Sequence, residues 1–188
     1  MNTPLESLQI HSNDKITKIN IPYPIGQEPD FINPEFFKPY RFVLGKKGRN
    51  MLVALCMNPS KAQDATSDRT VNTVIKRSVI GGFDGWAVIN IYPERATDKK
   101  NMNPFDEVLS NQNIEAIREF LRAYQITEVW GAWGNPETEQ LKKGRDGVLQ
   151  MMKEEGISIY GFNPLRSGDP HHPLYLNYDK ATKFHCIL

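Results

Sequence analysis

Short, continuously apolar runs alternate along the chain with longer stretches in which apolar residues recur every three or four positions. Met51–Met57, Trp86–Tyr92, Glu128–Trp133 and Ile157–Phe162 are the short runs, and continuous apolarity over so few residues predicts strands covered on both faces. Tyr40–Leu44, followed by the polar segment 45–50, predicts a strand forming a hairpin with Met51–Met57. Between the runs, Val71, Val74, Ile75 and Ile80 share a helical face, with Ser67 or Asp68 as N-cap and Gly81-Gly82 as the stop. Ile114, Ile117, Leu121 and Tyr124 predict a second helix over 112–124. Leu141, Val148, Leu149 and Met152 predict a third, opened by Asn135 as cap and Pro136 at its first position and closed by Gly156. This alternation predicts an α/β domain over 39–188, its mostly parallel sheet covered by helices on both faces. Residues 1–38 have no helical period and, with Pro39, carry six prolines, so they read as an extended arm, with a short strand over 16–21.

Composition narrows the picture. A chain of 188 residues needs one ordinary core, and 39% hydrophobic against 24% charged residues places it among globular proteins rather than disordered ones. The longest apolar run, Met51–Met57, falls far short of the roughly 20 residues of a membrane helix. The first residues lack a basic segment followed by an apolar one, so the expected compartment is the cytoplasm. A net charge of +1 denies the protein bulk attraction to a duplex, so any nucleic-acid contact is local. Two cysteines, Cys56 and Cys186, form neither a Cys-x-x-Cys pair nor a four-ligand iron–sulfur set.

In open α/β sheets ligands bind beyond the carboxyl ends of the strands, which directs attention to four loops. In the first, Asn58 follows an apolar run and precedes the rigid Pro59; its amide either makes a turn or holds a water or substrate, with Ser60 beside it. Asp68 either caps the following helix or contacts a ligand. In the second, Asn90 inside an apolar strand needs partners, as a bridge between loops or as a ligand contact. Tyr92 offers a ring for stacking, and Arg95 offers a phosphate contact or a lock on its own loop. In the third, Trp133 and its flanking glycines precede a helix start at which an anion would dock. In the fourth, His171 and His172 lie between Pro170 and Pro173, with Tyr175 two residues further on in the same loop. No metal is expected: Asp64 and Asp68 lack a third carboxylate, and the adjacent pairs His171-His172 and His185-Cys186 chelate poorly.

Taken in order, Met57-Asn58-Pro59-Ser60 with Asp68-Arg69-Thr70, Asn90-Ile91-Tyr92 with Arg95-Ala96-Thr97-Asp98, Ala132-Trp133-Gly134, and His172-Pro173-Leu174-Tyr175-Leu176 resemble the bacterial and phage family known as domain of unknown function 1643 (DUF1643). The resemblance spans about residues 40–178, with Arg69 and Lys99 standing where the family tends to proline. The motif order is remotely similar to the uracil-DNA glycosylase superfamily, which implies a three-layer α/β/α sandwich with a short, mostly parallel sheet. It also implies a hydrolase that cleaves an N-glycosidic bond without a cofactor. In that resemblance Asn58 holds the attacking water and His172 stabilises the departing base, with Cys56 replacing the family's glycine and Leu174-Tyr175 replacing its Ser-Pro. Tyr92 or Trp133 would stack on the base, while Lys46-Lys47-Gly48-Arg49 and Lys142-Lys143-Gly144-Arg145 either touch phosphates or form solvated surface. The implied partners are a nucleobase, a nucleotide, or a single-stranded or flipped nucleic acid. The alternative is a non-catalytic module of the same fold that binds a nucleotide, a modified base or a protein.

Overall fold

A computed structural model describes residues 21–186. Within them a single seven-stranded mixed sheet is combined with three α-helices. The strands are β1 (Phe31–Asn33), β2 (Val43–Lys46), β3 (Met51–Cys56), β4 (Gly85–Asn90), β5 (Glu128–Gly131), β6 (Ser158–Phe162) and β7 (Lys183–His185), in the spatial order β1-β2-β4-β3-β5-β6-β7. The helices are α1 (Arg69–Ile80), α2 (Glu107–Ala123) and α3 (Glu139–Glu154). β4, β3, β5 and β6 run parallel, whereas β1, β2 and β7 pair antiparallel at the flanks.

Every residue of β3 and β4 is buried, as their unbroken apolarity requires. Alternate residues serve opposite faces. Leu52, Ala54, Trp86 and Val88 pack with Val71, Val74 and Ile75 of α1. Val53, Leu55, Ala87 and Ile89 pack with Ile117 and Leu121 of α2 and with Leu141 and Val148 of α3. Among the described residues no helix is long and apolar enough to cross a membrane.

The expected hairpin does not form. β2 pairs with β4, and β4 lies between β2 and β3. The polar segment instead crosses beneath the start of β4, where Asn50 N–H donates to Asp84 Oδ1 (2.7 Å) and Asp84 N–H to the Asn50 carbonyl (3.0 Å). Glycine makes the crossing possible: a Cβ on Gly48 would stand 2.5 Å from the Gly85 nitrogen. Inserting β4 gives both fully buried strands a hydrogen-bonded neighbour on each side, which a β2–β3 hairpin with β4 elsewhere would not.

Helix limits follow the caps. Asp68 Oδ1 accepts from Val71 N–H (2.9 Å), selecting Asp68 over Ser67 as the N-cap of α1. α2 begins earlier than its periodicity predicts because Asp106 caps it at Leu109 N–H (3.0 Å); its first turn exposes Val108 and therefore lacks the apolar signal. α3 is capped at Thr138 rather than Asn135, so Pro136 stays outside it. The strand expected over 16–21 lies outside the described residues except for Ile21, which bridges to Ser67. The proline-rich stretch supplies β1, and its Tyr23 hydroxyl donates to the Gln63 carbonyl (2.6 Å).

Candidate functional site

The parallel strands end at one edge of the sheet, where their loops enclose a hollow of about 560 Å³. Asn58, Ser60, Lys99, Gly134, His172 and Tyr175 are among the residues lining it. A second chamber of about 420 Å³ shares Asn58, Ser60 and His172 and extends to Arg41, Asp68 and Asn90. The structure thus brings Asn58 and His172, which are 114 positions apart in the chain, to one cavity.

Asn58 follows β3, and its amide nitrogen donates to the carbonyls of Ala96 (2.8 Å), Pro59 (3.1 Å) and Glu94 (3.4 Å). Three carbonyls around one end fix which end is nitrogen, because an oxygen there would face only acceptors. Oδ1 accepts no hydrogen bond among the described residues, so Asn58 offers the cavity an acceptor. The loop is further tied by Ala96 N–H to the Pro59 carbonyl (3.0 Å) and by Ser60 and Thr97 hydroxyls 3.1 Å apart.

His172 reaches the cavity on the loop after β6. Its Nδ1 accepts from Leu174 N–H (3.3 Å), which leaves the proton of a neutral ring on Nε2. Burial, then the nearby Lys99 ammonium, push its pKa down to about 4 against an opposing pull from Asp68, so the ring is neutral at pH 7. The loop closes on Gly134, whose φ is 72° and whose added Cβ would lie 3.0 Å from His172 Cβ. Tyr175, 78% exposed, stands at the mouth with its ring 5.6 Å from the imidazole.

Asp68 combines its cap with a place in the second chamber. Asn90, at the carboxyl end of β4, is fully buried, and neither end of its side-chain amide has a hydrogen-bond partner. Its backbone carbonyl accepts from Asn113 Nδ2 (2.9 Å), so what joins it to α2 is main chain and not the side chain.

Three of the candidate side chains are engaged within the protein. Tyr92 is fully buried on the opposite face of the sheet, beside Phe105, and its hydroxyl accepts from Asp106 N–H (3.0 Å); residues 90 and 92 point apart from a common chain path. Arg95 locks loops, donating from Nη1 to the Ser60 (3.0 Å) and Ala62 (2.9 Å) carbonyls and from Nε to that of Lys38 (3.1 Å). Trp133, 2% exposed, donates from Nε1 to Asp169 Oδ1 (2.7 Å), which also accepts from Arg145 Nη1 (3.1 Å). Trp133 therefore braces the loop that carries His172 instead of facing a ligand.

The anion expected at the start of α3 meets Glu137 and Glu139, which already complement that helix end. Lys46–Arg49 lies at the opposite edge of the sheet, under β4; Lys143 pairs with Glu139 (2.7 Å) and Arg145 with Asp169. Among the described residues no group of three or more His, Cys, Asp or Glu side chains is arranged for a metal. Arg41 and Lys99 are cavity residues that the sequence does not single out as such, although a cation directly ahead of the apolar Phe42-Val43-Leu44 is itself a signal.

The profile described as protein of unknown function (DUF1643) matches residues 41–174, a span that contains the first three loops of the cavity and the fourth as far as Leu174. The chain belongs to the DUF1643 family. No curated protein and no solved structure matches it. In this DUF1643 protein the motifs after β3, β4, β5 and β6 are thus the parts that build, tie or brace one hollow.

Proposed function

We propose that this DUF1643 protein is an N-glycosidic hydrolase acting on a nucleobase-bearing substrate, built as a three-layer α/β/α sandwich of the uracil-DNA glycosylase kind. The observation that carries the reading is the pairing, in one cavity, of an Asn58 carbonyl oxygen held free with a neutral His172 whose Nε2–H is free to donate. A cavity of about 560 Å³ suits a mononucleotide-sized ligand.

In this mechanism Asn58 Oδ1 accepts a hydrogen bond from a water and aims its lone pair at the anomeric carbon. The carbon–oxygen bond forms as the carbon–nitrogen bond breaks, and the base departs with the bonding electron pair. His172 Nε2–H donates to the oxygen on which that charge gathers; a preorganised donor of this kind lowers the barrier by about 3 kcal/mol. The proton lost by the water ends on the released base. Neutrality of His172 matters because it supplies the donor without a proton transfer. With Tyr92 and Trp133 turned away, the ring available to cover a base is Tyr175.

Incubation with a panel of nucleosides, mononucleotides and oligonucleotides, followed by chromatography of free bases, tests the proposal. Base release is expected from wild type, with a loss of about a hundredfold or more in His172→Ala and Asn58→Ala. Stabilisation by a nucleotide with no base released from any substrate would instead establish the binding-module alternative.

A further inference from the structure

Arg41 is 1% exposed, yet among the described residues no carboxylate lies within 4.0 Å of it. Its Nη1 donates to the Ala62 carbonyl (2.6 Å), and its Nε is buried without a partner. Burying an ion costs several kcal/mol even after relaxation, so buried arginines are ordinarily paired. Here one carbonyl dipole serves two guanidiniums, since Arg95 donates to the same Ala62 oxygen at 2.9 Å. Burial, then the like charge of Arg95, push the Arg41 pKa down to about 10, which leaves it charged at neutral pH.

The second chamber holds the missing complement's place. Arg41, Lys61 and Arg69 line it against a single carboxylate, Asp68, whose Oδ1 is already committed to the cap of α1. Asn90 meets it on the same face of β4 as Val88, and both ends of the Asn90 amide are unpartnered although the residue is fully buried. The excess of two positive charges equals the charge of a phosphate monoester dianion. The chamber is floored by core residues, with Arg41, Val88 and Asn90 each at most 1% exposed, so a terminal phosphate fits it better than a diester that must leave by another route.

The geometry points to an anion subsite in which Arg41 and the Asn90 amide nitrogen receive the terminal phosphate of a nucleoside monophosphate whose sugar and base lie between Asn58 and His172. The identity of the sugar and base rests on the N-glycosidic reading; the anion does not.

Inorganic phosphate is the first probe, titrated into the full chain at constant ionic strength while thermal unfolding is followed, with sodium chloride as the control. Phosphate should raise Tm, chloride should not, and the effect should vanish in Arg41→Met. Because that variant also loses its bond to Ala62 and can fail to fold, Asp68→Asn decides: asparagine caps a helix as well as aspartate, while removal of the competing charge should tighten phosphate binding by about tenfold. A Tm indifferent to phosphate, or an Asp68→Asn protein that binds it no better than wild type, overturns the subsite. Phosphate binding with no base released from any monophosphate leaves the subsite standing and removes the hydrolase. Equal base release from nucleosides and their monophosphates, with no response to phosphate, removes the subsite and leaves the hydrolase.

Discussion

Acidification provides a direct test of how His172 is held. Its folded pKa of about 4 lies below the ordinary histidine value of 6.5 because burial, then Lys99, disfavour the imidazolium. Between those two values the unfolded chain binds a proton that the folded chain does not, so stability falls as pH drops from about 6.5 to about 4 and this contribution then levels off. At about 1.4 kcal/mol for each pH unit, the loss attributable to His172 is at most about 3–4 kcal/mol, and less to the extent that the half-buried ring is screened by water. Urea denaturation of wild type and His172→Gln at neutral pH and again near pH 4.5 isolates it, since glutamine does not titrate; wild type should lose roughly 2 kcal/mol more than the variant over that interval. The imidazole resonances, assigned by their absence from the variant, should titrate near pH 4, and nitrogen shifts at neutral pH should show the proton on Nε2. A midpoint at or above 6.5, or the same acid loss in both proteins, would refute the argument that the site keeps this ring neutral, and with it the proposed role of His172 as an uncharged donor.

Two further outcomes follow from the packing around that histidine. Gly134→Ala places a Cβ at a φ of 72° and 3.0 Å from His172 Cβ, so it should destabilise the fold by about 2 kcal/mol and move the His172 titration toward its ordinary value; a change within about 0.5 kcal/mol with an unmoved titration would count against the contact. Trp133→Phe removes the buried donor to Asp169 while Arg145 still pairs with that carboxylate, so denaturation should report a loss of about 1–3 kcal/mol, and an unchanged midpoint would mean that the indole is not the brace of this loop.

Local pattern accounts for a good part of this architecture. The apolar runs became β3, β4, β5 and β6 within a few residues of their limits; β3 and β4 are buried throughout, as continuous apolarity predicts, whereas β6 is buried on one face only. Asp68 and Gly81 delimit α1 through hydrogen bonds among near neighbours, which is why both ends were readable. Asn58 and His172 stood out as polar residues in loops at strand ends, and the strands' common direction puts those loops on one edge.

Other features depend on partners distant in sequence. Periodicity assigns a residue to a face but names no neighbour, so nothing local revealed that β4 would separate β2 from β3, a choice made by the hydrogen-bonding needs of two fully buried strands and by the close passage of Gly48 under Gly85. Tyr92 and Trp133 looked as available as Tyr175 until packing turned the first two into the core and left the third at the mouth. The free oxygen of Asn58 exists because carbonyls 36 and 38 positions away hold the nitrogen, and the neutrality of His172 because burial and Lys99 act together on it. The amino-acid order by itself determined the central strands, the three helices and the polar residues that stand at strand ends; the tertiary fold alone decided which of those residues share a cavity and in what charge state, since burial and long-range hydrogen bonds belong to the assembled chain.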